Sequence, residues 1–259
     1  MKDLLACPLS SRFARLCGVL RLTAGFAIGA SRRLVPILVA VALGSVPLGA
    51  LAQDPGLRFD KLVRDDMFKG LEGDEAALDR AMQVCESRLR EDGGDAEALV
   101  WHGAGLMIRA DGAFLAGAPE NGKSLAKRAF AEMAQAVALK PDQVGVLVPR
   151  GASLLGAAMR MPESPLRKTY VEIAIGDFEK ALELQLAGFA QLAAHPKGEL
   201  LGALAEAWWL SGKREESQAY LARMTAELPG TSYAAAARVR LDDPAAGRRV
   251  TCLGCHAEK

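Results

Sequence analysis

The sequence predicts an all-helical protein, and three observations carry that expectation. Alanine, leucine and glycine dominate, while tyrosine occurs only three times in 259 residues and isoleucine is scarce, so residues that favour strands are poorly supplied. No strict alternation of apolar and polar residues stands out, whereas from Phe59 onward apolar residues recur at helical spacing. Glycine and proline punctuate that pattern at intervals and divide it into helix pairs.

The first stretch is of a different kind. Residues 1–33 carry Lys2, Arg12, Arg15, Arg21, Arg32 and Arg33 against the single acid Asp3, and residues 34–51 carry no charge at all. Ala50-Leu51-Ala52 then offers a small-x-small site. Basic region, apolar region and small-residue site in that order predict a secretory signal peptide over residues 1–52, hence a periplasmic or secreted protein. An uncleaved anchor is the alternative, since about eighteen apolar residues can just span a bilayer. Pro36, Gly44, Pro47 and Gly49 interrupt such a helix and favour cleavage.

Cleavage after Ala52 removes six basic residues and one acid, leaving 26 basic against 30 acidic, a net charge near −4. A nucleic-acid partner is therefore not expected, because binding one needs a basic stripe that displaces counterions. The remaining chain is long enough for one domain with its own core, over residues 53–241.

Within that domain the last helix pair is the clearest. Leu201, Leu204, Ala205, Trp208, Gly212, Ser217, Leu221, Met224 and Pro229 alternate large, small and helix-ending residues. Small residues on both helices let the pair approach closely, glycine turns the chain and proline stops the second helix. These positions resemble a tetratricopeptide repeat. Trp101, Gly105, Ala129, Met133, Ala136 and Pro141 form a similar second unit, and Leu147, Gly151, Leu154, Ala174, Phe178 and Ala181 a third. A first unit, from Leu62 to about Asp92, offers Gly73, Leu78, Met82 and Cys85. The second and third units exceed the family's 34-residue period, with extra residues around 111–123 and 160–167 that map to loops or lengthened helices. The resemblance implies a helix-turn-helix solenoid of about four pairs. An alanine-rich helix over 231–241 would cap it, as the open end of a solenoid core requires.

Residues 242–259 form a linker and a tail, and the tail holds the most specific motif, Cys252-Leu253-Gly254-Cys255-His256. C-x-x-C-H is the attachment signature of a c-type haem: each thiol adds to one vinyl group, and the adjacent imidazole reaches the iron from one face. Cys252 and Cys255 are the expected attachment points of one covalent haem, and His256 its proximal ligand. A redox dithiol, a zinc site and an inert tail are the alternatives. The redox pair lacks its usual βαβ context and zinc lacks a fourth local ligand.

Register taken from the repeat family turns Leu99, His102, Leu106 and Arg109 toward a concave groove, with Val63, Met67, Val148, Ala152, Leu155, Glu206 and Trp209 at equivalent positions. That groove is largely apolar and suits a protein partner or a porphyrin. His102 is a candidate distal haem ligand, or else packs beside Trp101. His195 falls in an inter-repeat turn, and Met159 and Met161 in the inserted loop, where methionine can ligate iron or pack as core. Cys85, on the stripe Leu78, Met82, Cys85, Leu89, reads as core.

The sequence thus predicts an exported repeat protein with one covalent haem, acting in electron transfer or as an adaptor in a redox complex, with another cytochrome or other protein as partner. A scaffold or assembly factor that binds partners without haem is the alternative. No enzyme is expected: paired carboxylates, a nucleophilic triad order and a phosphate-binding glycine loop do not occur at defined spacing.

Overall fold

The computed structural model describes residues 58–244. The leader over 1–52, Cys252, Cys255 and His256 lie outside the described residues. Among the described residues the protein is all-helical, with helices α1 (Asp60–Leu71), α2 (Glu75–Glu91), α3 (Ala96–Leu115), α4 (Pro119–Leu139), α5 (Val144–Arg160), α6 (Pro165–Gln185), α7 (Ala194–Leu210), α8 (Arg214–Glu227) and α9 (Ser232–Asp242). A 3-10 helix, Leu186–Gln191, follows α6 and was not legible in the sequence pattern.

Local chemistry fixes the helix ends. The Asp74 and Asp95 carboxylates accept from Ala77 N and Ala98 N at the starts of α2 and α3, both at 2.9 Å. Ser164 caps α6 and Thr231 caps α9 in the same way. Each cap satisfies a backbone donor that the first turn leaves without a partner, worth about 1 kcal/mol. Gly73 and Gly212 turn α1 into α2 and α7 into α8 at φ of 103° and 84°, a backbone region that side chains with a Cβ avoid.

Neighbouring helices pack as antiparallel pairs: α1 with α2, α3 with α4, α5 with α6, α7 with α8. The first helices of the pairs also meet one another, α3 lying against α1 and α5, and α7 against α5. Close approach is possible where glycine faces a partner. A Cβ on Gly103 would stand 2.9 Å from the Ala129 carbonyl oxygen of α4, and one on Gly151 would stand 2.9 Å from the Phe178 ring of α6. Phe178, Met82, Met133, Leu154, Leu201, Leu221 and Met224 are fully buried along these seams.

The extra residues of the second unit lengthen helices instead of forming a loop. α3 and α4 have 20 and 21 residues, with Ala116, Gly117 and Ala118 between them. Met159 likewise lies in the last turn of α5, half-buried against the core, and not in a loop; Met161 is the residue that ends the helix. Cys85 is fully buried in the core and is a free thiol. The alanine-rich segment forms α9, which packs on α8 and α7. No helix among the described residues is long and apolar enough to cross a membrane.

Candidate functional site

An open channel runs along the first helices of the pairs and has a volume of about 1200 Å³. Helical spacing puts one face of each helix on it. α3 contributes Glu97, Trp101, Ala104 and Ile108; α5 contributes Val144, Val148, Ala152 and Leu155. α1 adds Met67 and Phe68, and α7 adds Pro196, Glu199, Leu200 and Ala203. The walls are mainly apolar, while Arg58, Arg64 and Arg160 stand with Asp60, Asp65 and Glu72 at the margins. The volume exceeds the roughly 300–1,000 Å³ usual for a small-molecule or cofactor site.

Trp101 is the large aromatic of the wall, 9 % exposed, and its indole Nε1 is buried without a hydrogen-bond partner among the described residues. At one end Gln143 Nε2 donates to Glu97 Oε1. Burial drives the Glu97 carboxyl above its ordinary range, and the Gln143 hydrogen bond offsets only part of that effect.

At the α7 side, three polar groups form a chain. The Tyr233 hydroxyl of α9 lies 2.7 Å from Glu199 Oε1 and 2.7 Å from Nδ1 of His195. A phenol has one proton. That proton is donated to the Glu199 carboxylate, and the phenol oxygen faces Nδ1 of His195. His195 lies in the first turn of α7, exposed and on the channel wall, with Tyr233 held against Gly198 below it.

The residues that the sequence assigned to the groove fall into three groups. Leu155, Met67, Val148 and Ala152 line the channel. Leu99, His102, Leu106 and Arg109 do not line it. Arg109 Nη2 bonds Asp79 Oδ1 of α2 at 2.6 Å, and Leu99 and Leu106 are buried on the same face of α3. The true channel face of α3 runs through Trp101, one residue and about 100° away from His102. Val63 of α1 is fully buried in the core.

His102 is enclosed instead of open to the channel. Its Nδ1 is 2.5 Å from Glu132 Oε2 of α4, its Nε2 is 3.7 Å from Glu86 Oε1 of α2, and its side chain is 3 % exposed. Arg128 Nε donates to the other Glu132 oxygen at 2.8 Å. Burial alone would raise the Glu132 carboxyl, but hydrogen bonds from His102 and Arg128 outweigh it and hold that group below its ordinary value. With both ring nitrogens facing carboxylates, His102 is placed as a structural pair and not as a distal ligand.

Glu206 and Trp209 belong to a third cluster, closed over by α9. Arg240 Nη2 is 3.6 Å from Glu206 Oε2, and its guanidinium lies 4.6 Å from the Trp209 ring centroid. Arg214 covers the Trp209 ring at 3.1 Å. Trp208, the adjacent indole, meets Lys213 at 4.8 Å. The channel residues that sequence reasoning missed are Trp101, Glu199, Leu200, Ala203 and His195; the i, i+4, i+7 spacing of Trp101 with Glu97 and Ala104 was the signal for the α3 face. Among the described residues no group of three or more His, Cys, Asp or Glu is arranged to hold a metal ion.

Comparison with protein-family models, with curated proteins and with solved structures gave no match.

Proposed function

We propose that this is an exported helical-repeat protein of tetratricopeptide type that carries one covalent c-type haem on its C-terminal tail and acts in electron transfer or as an adaptor within a redox complex. The observation that carries this reading is the sequence Cys252-Leu253-Gly254-Cys255-His256, ten residues beyond the end of α9 and downstream of a basic and apolar leader. Cys252 and Cys255 hold the haem and His256 ligates its iron, and the group supplies one-electron chemistry. The helix pairs supply a surface for another redox protein, and the function is relay and docking, not substrate turnover.

The experiment is haem staining of a denaturing gel together with a pyridine haemochrome spectrum, on protein exported in a host with haem-attachment machinery. A covalent haem band that disappears in Cys252→Ser/Cys255→Ser is the expected result. Colourless protein that is exported and folded would refute it. The apolar channel favours a second reading for that outcome, a scaffold that captures a partner helix along α3, α5 and α7.

A further inference from the structure

We infer that the turn between α3 and α4 is a membrane-docking tip: Phe114, Leu115 and the residues up to Pro119 enter the headgroup region of an anionic bilayer, while cations set back from them meet the lipid phosphates. The inference stands on the described helices alone and is independent of the haem.

Three observations support it. The first is exposure. Phe114-Leu115-Ala116-Gly117-Ala118-Pro119 is a run of six residues without a polar side chain, and every one of them is exposed. Leu115 is 90 % exposed. Phe114 leans on α4 at Gly122, where a Cβ would stand 2.9 Å from its ring, so the opposite face of the ring is left to the outside. Single apolar side chains on a surface are ordinary, but a contiguous run at one turn marks a contact site.

The second is projection. The rings of Phe130 and Tyr170 stack with centroids 5.8 Å apart, which sets these residues of α4 and α6 level with one another. Phe130 lies eleven residues past the start of α4, and Tyr170 five past the start of α6. The difference of six residues carries the α3–α4 turn about 9 Å beyond the α5–α6 turn at the helical rise. On the other flank His102 faces Glu86 of α2; His102 is thirteen residues from the end of α3, and Glu86 eleven from the start of α2. The tip therefore leads the α1–α2 turn as well, by about 3 Å. Its lead over the α5–α6 turn matches the roughly 5–10 Å to which apolar side chains sink at the boundary of headgroups and acyl chains.

The third is charge. Residues 111–128 and 160–168 flank the tip, and they carry six bases against the three acids Asp111, Glu120 and Glu163. The rest of residues 58–244 carries 17 bases against 25 acids, so the tip is the positive end of an acidic domain. Each of the three acids already faces a cation, Arg160, Lys123 and Arg167 respectively. Lys127 is exposed and has no ion-pair partner among the described residues. Lys123 and Lys127 are four apart on one face of α4, about 6 and 12 Å behind Pro119 along the helix. Cations at that depth are attracted by an anionic leaflet once the apolar tip is in place. A second copy is the less suited occupant, because two tips would set like charge against like.

The test is flotation of the full chain, purified after export, with vesicles of phosphatidylglycerol and phosphatidylethanolamine, beside vesicles of phosphatidylcholine alone. Wild type should float with the anionic vesicles and far less with the neutral ones, and added salt should weaken the binding. Leu115→Ser should bind about tenfold more weakly, from the apolar burial it forgoes, with unchanged circular dichroism and melting temperature. Lys123→Gln/Lys127→Gln should lose roughly fivefold for each lysine. Leu186→Ser removes an exposed leucine at the opposite end of α6 and should bind like wild type. Wild type that stays off anionic vesicles would overturn the inference, and so would binding that Leu115→Ser leaves intact or that is equal on phosphatidylcholine. A dimer in light scattering that Leu115→Ser dissolves, in protein that ignores vesicles, would overturn it in favour of a second copy.

Discussion

Nδ1 of His102 lies 2.5 Å from Oε2 of Glu132 across the α3–α4 interface, with the two side chains 3 % and 15 % exposed. The pair ties together helices of 20 and 21 residues, and Arg128 completes it from the same face of α4. Its consequences are measurable.

The Glu132 carboxyl is held below its ordinary value of 4.5 in the folded protein. A depressed acid contributes stability that is present above the unfolded value and is lost as pH falls through the folded one. The urea midpoint of wild type should therefore drop as pH falls below the ordinary value of 4.5, and Glu132→Gln should flatten that part of the profile. An unchanged profile in the variant would remove Glu132 as its source.

Arg150 and Asp177 make the most buried ion pair of the α5–α6 seam. Arg150 Nε donates to Oδ2 at 2.8 Å and Nη2 to Oδ1 at 2.5 Å, while Asp177 is 3 % exposed. Burial nevertheless pushes the Asp177 carboxyl up, against the pull of Arg150. Arg150→Ala should cost about 3–5 kcal/mol in chemical denaturation, because it leaves a buried carboxylate uncompensated.

Gly103→Ala should destabilise by about 1–3 kcal/mol, since the new methyl meets the Ala129 carbonyl oxygen, a backbone atom that cannot rotate away. Gly105→Ala should cost less. Its nearest neighbours are Met82 Sδ and the ends of Met67, which belong to flexible side chains. Equal thermal shifts for the two variants would contradict this ordering.

Cys85 is fully buried, and burial raises its thiol far above the ordinary range. It should resist alkylation in native buffer and react fully in denaturant, as read by mass spectrometry. Fast native labelling would show that the α2–α3 seam opens locally.

Arg240→Ala should destabilise the α7–α9 contact more than Arg214→Ala does. Both remove a guanidinium from the Trp209 ring, about 0.5–2 kcal/mol each, but Arg240 also faces the buried Glu206. Comparing their melting temperatures checks the order.

Much of the helical organisation was legible because its determinants are local. Gly212 as a turn and Pro229 as a stop act within a few residues, so the α7–α8 pair could be placed by reading along the chain. The alanine-rich stretch after Pro229 was placed as α9 within about one residue of its ends. The site was less legible because its determinants are distant. Trp101 and His102 are adjacent, and which of them faces the channel depends on Glu132, thirty residues away, and on the close approach that Gly103 permits. The chain from Glu199 through Tyr233 to His195 crosses 34 and 38 residues, a separation at which no sequence spacing speaks. Glu206 and Trp209 had groove spacing on α7, and only the placement of Arg240 on α9 shows them covered.

The short glycine turns at Gly73, Gly117 and Gly212 have a kinetic consequence. Each joins two helices that pack directly on one another, so a large share of the native contacts connects residues that are near in sequence. Loops of this length close quickly and cost little chain entropy, which places the protein among fast folders of low contact order. A chain delivered N-terminus first can then close the α1–α2 hairpin, and after it α3–α4, before α9 has emerged, so little apolar surface waits long for a partner.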